Sequence, residues 1–138
     1  MGDLTEHFSR RELSCRCCSK LALAPLFLHK LENLRGDYGE PMSVNCGCRC
    51  PKHNKEVGGA PRSMHLTNLS GDGIPEGLTG SCAVDIHCPM ESDNAVARER
   101  LIRLARERSW SIGHYETFLH LDCRHTIWDM KRVEWTEQ

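Results

Sequence analysis

Apolar residues recur at three- and four-residue spacing between Pro25 and Tyr38, at Leu26, Phe27, Leu31 and Leu34. That pattern predicts an amphipathic helix ending near Gly36 and Gly39. A second helical run covers about 94–108, with Ser92 or Asp93 as its cap and Val96, Leu101, Ile102, Leu104 and Ala105 turned inward. Two shorter helices are marked by their first residues. Ser9 with Glu12 fits a capping box opening one turn in the lead-in at 3–14. Pro51 opens a helix through Val57, closed by Gly58-Gly59-Ala60-Pro61.

Strand patterns fill the gaps between these helices. Residues 41–46 are short and β-capable. Residues 81–86 read as a central strand, and 110–115 and 117–122 as two strands joined by a tight turn. Residues 15–20 form a Cys-rich loop. Residues 67–80 hold four glycines and a proline, a loop with little apolar surface to bury and expected to be dispensable for folding. The tail at 131–138 is polar. This mixture predicts an α+β fold, a small antiparallel sheet with flanking helices, in a single domain spanning 1–138.

Length agrees, because 138 residues suit one domain with its own core. The formal net charge of −1 makes no case for non-specific nucleic-acid binding. No stretch approaches the roughly 18 apolar residues of a membrane span. The acidic start lacks the apolar segment of a signal peptide, so synthesis in a cytosol with reduced thiols is expected. A monomer is expected.

The unusual numbers are nine Cys and eight His, both metal-ligating types. Cys15-x-Cys17-Cys18 and Cys46-x-Cys48-x-Cys50 are dense but lack the paired Cys-x2-Cys spacing of a zinc ribbon. On a strand, 46, 48 and 50 would share one face. Two readings stand: a four-thiolate zinc site, or small buried hydrophobes with some exposed reactive thiols.

Three ordered motifs carry a resemblance. The run from Cys48 to His65, CRCPKHNKEVGGAPRSMH, is similar to "SGYRCPxHNxxVGGAxxSxH". Ala83-Val84-Asp85-Ile86 resembles the end of "SxHxxGxAxDI". Ile112 to Tyr115 with Phe118 to Arg124 resembles "IGxYxxFxHxDxR". These motifs belong to the zinc D-Ala-D-Ala carboxypeptidase and murein endopeptidase family (LAS-type metallopeptidases). It includes the vancomycin-resistance D,D-dipeptidases and phage L-alanyl-D-glutamate endolysins. Two departures stand out. Cys46-Gly47-Cys48 replaces the usual Ser-Gly-Tyr, and the 67–80 insertion separates His65 from Asp85 by more than the usual spacing. Loop length is inexpensive, about 0.6 kcal/mol per doubling, so the site can tolerate the insertion.

The resemblance implies a zinc-peptidase domain with one Zn(2+) per chain held by His65, Asp85 and His120. A catalytic zinc takes three protein ligands and keeps one position open. Its substrate would be a peptidoglycan stem peptide, cut next to a D-amino acid. For proton transfer the candidates are Asp122 and, second, Glu116; Asp122 could instead orient His120. Arg49 is the candidate anchor for a substrate carboxylate, with Ser63 beside it. His53, His87 and His114 are the runner-up imidazoles, with His87 the first stand-in ligand. Arg124 is expected to support Asp122, and Trp110, Trp128 and Trp135 to serve packing before any glycan stacking. The absence of a leader fits a phage-encoded enzyme acting on a host cell wall, and equally a cytosolic recycling enzyme. The rival reading is a fold relative with weakened catalysis, serving as a cell-wall-binding or virion structural module.

Overall fold

A computed structural model describes residues 2–24, 26–68, 80–89 and 95–137. Most of the expected inserted loop (69–79) and the expected caps Ser92 and Asp93 lie outside these residues. The elements in chain order are α1 (Arg10–Leu13), α2 (Phe27–Tyr38), β1 (Val44–Cys46), α3 (Pro51–Glu56), β2 (Ala83–His87), α4 (Ala95–Glu107), β3 (Ser111–His114), β4 (Phe118–Asp122), α5 (Arg124–Trp128) and β5 (Glu134–Thr136).

The five strands form one sheet in the order β1-β2-β4-β3-β5. The first four pair antiparallel, as the sequence predicts. β5 adds a parallel edge beside β3, which makes the sheet mixed. The sequence marks 131–138 only as polar; α5 carries the chain across and returns 134–136 to the sheet. Trp128 anchors this return, fully buried with its indole N–H donating to Cys82 Sγ at 3.2 Å.

Side-chain alternation divides the sheet into two faces. Val84, Ile86, Ile112, Leu119 and Leu121 are buried among the core residues, which include Phe27, Leu31 and Leu34 of α2 and Leu101 and Ile102 of α4. Asp85, Gly113, His120 and Asp122 fall on the opposite face. In the register, Asp85 lies directly across from His120, and His120 across from Gly113. One-residue alternation therefore puts two polar side chains next to each other on a single face.

The local signals hold at α1, where the Ser9–Glu12 capping box forms, and at α2, which Gly39 ends in the left-handed conformation. α4 needs one correction. Val96 is 82% exposed, and the buried stripe is Arg98, Leu101, Ile102 and Ala105. This i, i+3, i+4, i+7 stripe leaves Val96 on the far side of the helix. The buried Arg98 donates to the carbonyls of Cys88 and Tyr115, tying α4 to the end of β2 and to the β3–β4 turn.

Candidate metal centre

His65 comes to the sheet from the loop after α3. Arg49 bridges Leu66 in parallel, its N–H donating to the His65 carbonyl at 2.8 Å, and the Cys82 N–H donates to the Met64 carbonyl at 3.0 Å. These bonds hold His65 over Asp85 and His120. His65 Nε2 lies 3.1 Å from Asp85 Oδ1 and 3.2 Å from His120 Nδ1; His120 Nδ1 lies 3.1 Å from the same Asp85 oxygen. The three expected ligands thus present a nearly equilateral triangle of donor atoms. Zinc bound tetrahedrally at about 2.0–2.1 Å spaces neighbouring ligand atoms about 3.3 Å apart, so the residues fit that ion.

The far side of each ring decides which nitrogen faces the triangle. His65 Nδ1 donates to the Gly47 carbonyl at 2.7 Å, leaving the Nε2 lone pair free. His120 Nε2 donates to Asp122 Oδ2 at 2.8 Å, leaving Nδ1 free. A hydrogen bond on one ring nitrogen fixes the tautomer and raises the basicity of the other. Gly47 is required by close approach, because a Cβ there would sit 2.6 Å from the Leu13 carbonyl oxygen. Cys46 Sγ lies 3.7 Å from His65 Nδ1, and Cys46, His65 and Asp85 also offer donor atoms within 4.8 Å of one another. The Gly47 bond commits Nδ1, so Nε2 with Asp85 and His120 is the better metal set.

Asp122 is 0% exposed and lies across the His120 ring from the triangle. Its Oδ2 also accepts from Arg124 Nη2 at 2.7 Å, and its Oδ1 from Arg124 Nε at 2.9 Å and the Arg124 N–H at 3.0 Å. Both oxygens are engaged, and Asp122 lies behind the candidate ligand His120. Glu116 is exposed in the β3–β4 turn and makes no hydrogen bond or ion pair among the described residues. Arg49 and Ser63 are brought together, with Arg49 Nη2 donating to Ser63 Oγ at 3.3 Å; Ser63 Oγ also accepts from the His65 N–H at 3.2 Å. Arg49 Nε is buried with no acceptor, and Arg49 has no carboxylate partner among the described residues. The three runner-up histidines stay outside the triangle: His53 is half-buried on α3, His87 is exposed, and His114 pairs with Glu134 at 2.8 Å.

Sequence reasoning missed the wall of the site. Trp110 and Trp128 are core residues, but the Trp135 ring lies 5.2 Å from the His120 ring, and its indole N–H donates to the Tyr115 hydroxyl at 3.2 Å. Gly113 makes room for it: a Cβ there would lie 2.5 Å from the Trp135 ring. The available signal was the Gly113–His120 pairing beside a short strand-capable Glu134-Trp135-Thr136.

The hydrogen bonds of the cluster favour charge on both the imidazole and the carboxylates. Burial opposes charge on His120, but hydrogen bonds to Asp122 and Asp85 outweigh it and raise its pKa to about 8. Asp85 is pushed the other way, well below the usual carboxylate range: burial opposes its charge, but the two histidines override it. At Asp122 burial again opposes the charge, and the bonds from His120 and Arg124 win, holding the carboxyl at about 2. The folded value lies below the unfolded one. Asp122 therefore stabilises the fold fully above about pH 4, and that stabilisation is lost as pH falls through about 2. It amounts to roughly 2 kcal/mol. Acid-unfolding curves followed by circular dichroism should steepen between about pH 4 and 2. Asp122→Asn should flatten that segment, and an unchanged profile would remove Asp122 from the acid response.

A family model described as Peptidase M15 matches residues 6–122. That span contains every residue of the triangle, its supporting bonds from Gly47 and Asp122, and Arg49 with Ser63. No curated protein matches the chain.

Proposed function

The chain belongs to the peptidase M15 family of metal-dependent peptidases, and from that premise we propose that it is a zinc peptidase of the bacterial cell wall. It hydrolyses a peptide bond next to a D-amino acid in peptidoglycan stem peptides, as a D,D-carboxypeptidase or a murein endopeptidase. The observation that carries this reading is the 3.1–3.2 Å triangle of His65 Nε2, Asp85 Oδ1 and His120 Nδ1. Two nitrogens and one oxygen at tetrahedral spacing suit zinc, and three protein ligands are the number that leaves a position open. The stem-peptide substrate rests on the likeness of the three motifs to the D-Ala-D-Ala carboxypeptidases and murein endopeptidases.

When bound, zinc supplies Lewis acidity, polarising a peptide carbonyl and making water a nucleophile near neutral pH. The chain's own residues supply the rest. Gly47 and Asp122 hold the two imidazoles in the tautomers that face the metal. Of the two acids proposed for proton transfer, Glu116 is the one with no hydrogen-bond partner among the described residues, so we assign it the base and leave Asp122 to position His120. Arg49, with an unpartnered buried Nε, grips a substrate carboxylate by paired hydrogen bonds, with Ser63 fixing its guanidinium. Trp135 and Tyr115 wall the side of His120.

The test is mass spectrometry of products from defined muropeptides, with and without a terminal D-Ala-D-Ala and with and without a crosslink. New termini beside a D-residue support the proposal. Intact substrates that nevertheless bind would move the chain to the rival reading, a wall-binding module.

Arg49→Lys is expected to keep the charge and lose the two-pronged grip. Turnover should fall about tenfold or more, in line with losing roughly 1.5–3 kcal/mol of charge-assisted hydrogen bonding. The loss should be confined to substrates whose free carboxylate adjoins the scissile bond. Equal losses with and without that carboxylate, measured as kcat/KM, would leave Arg49 a structural residue.

A further inference from the structure

The peptidase reading leaves a second cluster of metal-ligating side chains unused. Cys15, Cys17 and Cys18 come from the loop after α1, and Cys50 is the residue that caps α3. Their four sulfurs all lie within 4.8 Å of one another, with Cys15 Sγ 3.6 Å from Cys17 Sγ and Cys17 Sγ 3.3 Å from Cys50 Sγ. All four are free thiols. We propose that they bind a second zinc ion, a closed structural site of four thiolates separate from the His65–Asp85–His120 triangle.

The geometry fits that ion. Zinc–sulfur bonds of about 2.3 Å in a tetrahedron put neighbouring sulfurs about 3.8 Å apart, a small adjustment from the separations seen. Four protein sulfurs and no open position are the marks of a structural site rather than a catalytic one. The backbone is already arranged around the sulfurs. The Ser19 N–H donates to the Cys15 carbonyl at 2.8 Å and the Cys15 N–H to the Lys20 carbonyl at 2.8 Å, closing the loop that gathers three cysteines. The Cys50 N–H donates to Cys15 Sγ and the His53 N–H to Cys50 Sγ, both at 3.4 Å. Such N–H···S bonds favour the thiolate form and orient it. The other cysteines point elsewhere. Cys46 turns to His65, and Cys48 is buried with its thiol donating to the Ala22 carbonyl. β1 ends at Cys46, so 46, 48 and 50 do not follow one another along a strand.

The site would clip the 15–18 loop to the segment that carries the peptidase residues. Cys50 follows Arg49, whose N–H and carbonyl bond the His65 carbonyl and the Thr67 N–H. A metal clip joining positions 18 and 50 removes closure entropy from the unfolded chain and couples metal binding to folding. The metal count becomes two, one more than the family resemblance implies.

The test uses the full chain, purified under reducing conditions and loaded with zinc. An organomercurial titrates the thiols while a chromogenic chelator reads released zinc. One equivalent per chain should be released from wild type and from His120→Ala, and none from Cys17→Ser/Cys18→Ser. Cys17 and Cys18 are exposed, so serine there leaves no cavity. With cobalt in place of zinc, wild type should show an intense thiolate-to-metal charge-transfer band that the double serine variant lacks. No zinc release from wild type on thiol titration, or equal release from the double serine variant, would overturn the proposal. Because His120→Ala keeps this zinc, failure here and failure of the peptidase reading are separate results.

Discussion

His120→Ala is expected to reduce peptidase activity to background and to remove the triangle's metal, the largest effect of any single change. His120 contributes one of three donor atoms, and Gly113 and Asp85 flank it on neighbouring strands. Alanine leaves two ligands, too few to hold zinc against water and buffer. It also removes the Nε2–H that Asp122 Oδ2 accepts, leaving that buried carboxylate to Arg124 alone. A stability loss is therefore expected alongside, but Arg124 still supplies three hydrogen bonds and the fold should persist. Zinc analysis with circular dichroism on one sample checks both. Full zinc occupancy of the triangle in this variant would show that His120 is not a ligand.

Asp122→Asn should weaken the triangle's metal affinity by about 10–100-fold, as loss of a ligand's hydrogen-bond partner does. The change is isosteric, so the reason is chemical. Asp122 accepts from His120 on one side and from Arg124 on the other. An amide has one accepting oxygen and one donating nitrogen, so one partner must meet a donor head-on. If His120 meets it, the tautomer that presents Nδ1 to the metal loses its support. Activity should then return at saturating zinc. A base would behave differently: the variant would keep zinc tightly and lose about 10²–10⁴-fold in turnover at every zinc concentration. Glu116→Gln is expected to show that second pattern. If the two variants exchange patterns, the base is Asp122 and Glu116 is a solvated turn residue.

Much of the site was legible because its parts are local. The alternation Phe118-Leu119-His120-Leu121-Asp122 separates core from site without any tertiary information, and the motif contexts pick His65, Asp85 and His120 out of eight histidines and many acids. The partner of His65 Nδ1 was not legible, because a backbone carbonyl leaves no residue-type signature; only Gly47, tight against Leu13, hints at it. α5 and β5 were missed for a related reason. Arg124–Trp128 has no side-chain cap, and Glu134-Trp135-Thr136 is a strand only because β3 offers an edge. Val96 misled because its apolar type was weighed ahead of its angle on the helix. The thiolate cluster was half visible: spacing shows Cys15, Cys17 and Cys18 together, but Cys50 joins them only through the packing of the loop against α3.

In the proposed function, His65, Asp85 and His120 would hold the zinc that supplies the Lewis acidity for peptide hydrolysis. The most direct measurement is product release from purified peptidoglycan by protein stripped with a chelator, then titrated with zinc beyond the capacity of the thiolates. The account predicts no cleavage by the stripped protein and full recovery on zinc addition, with products ending beside a D-amino acid. Cleavage that survives stripping, or no cleavage at any zinc level, would contradict it.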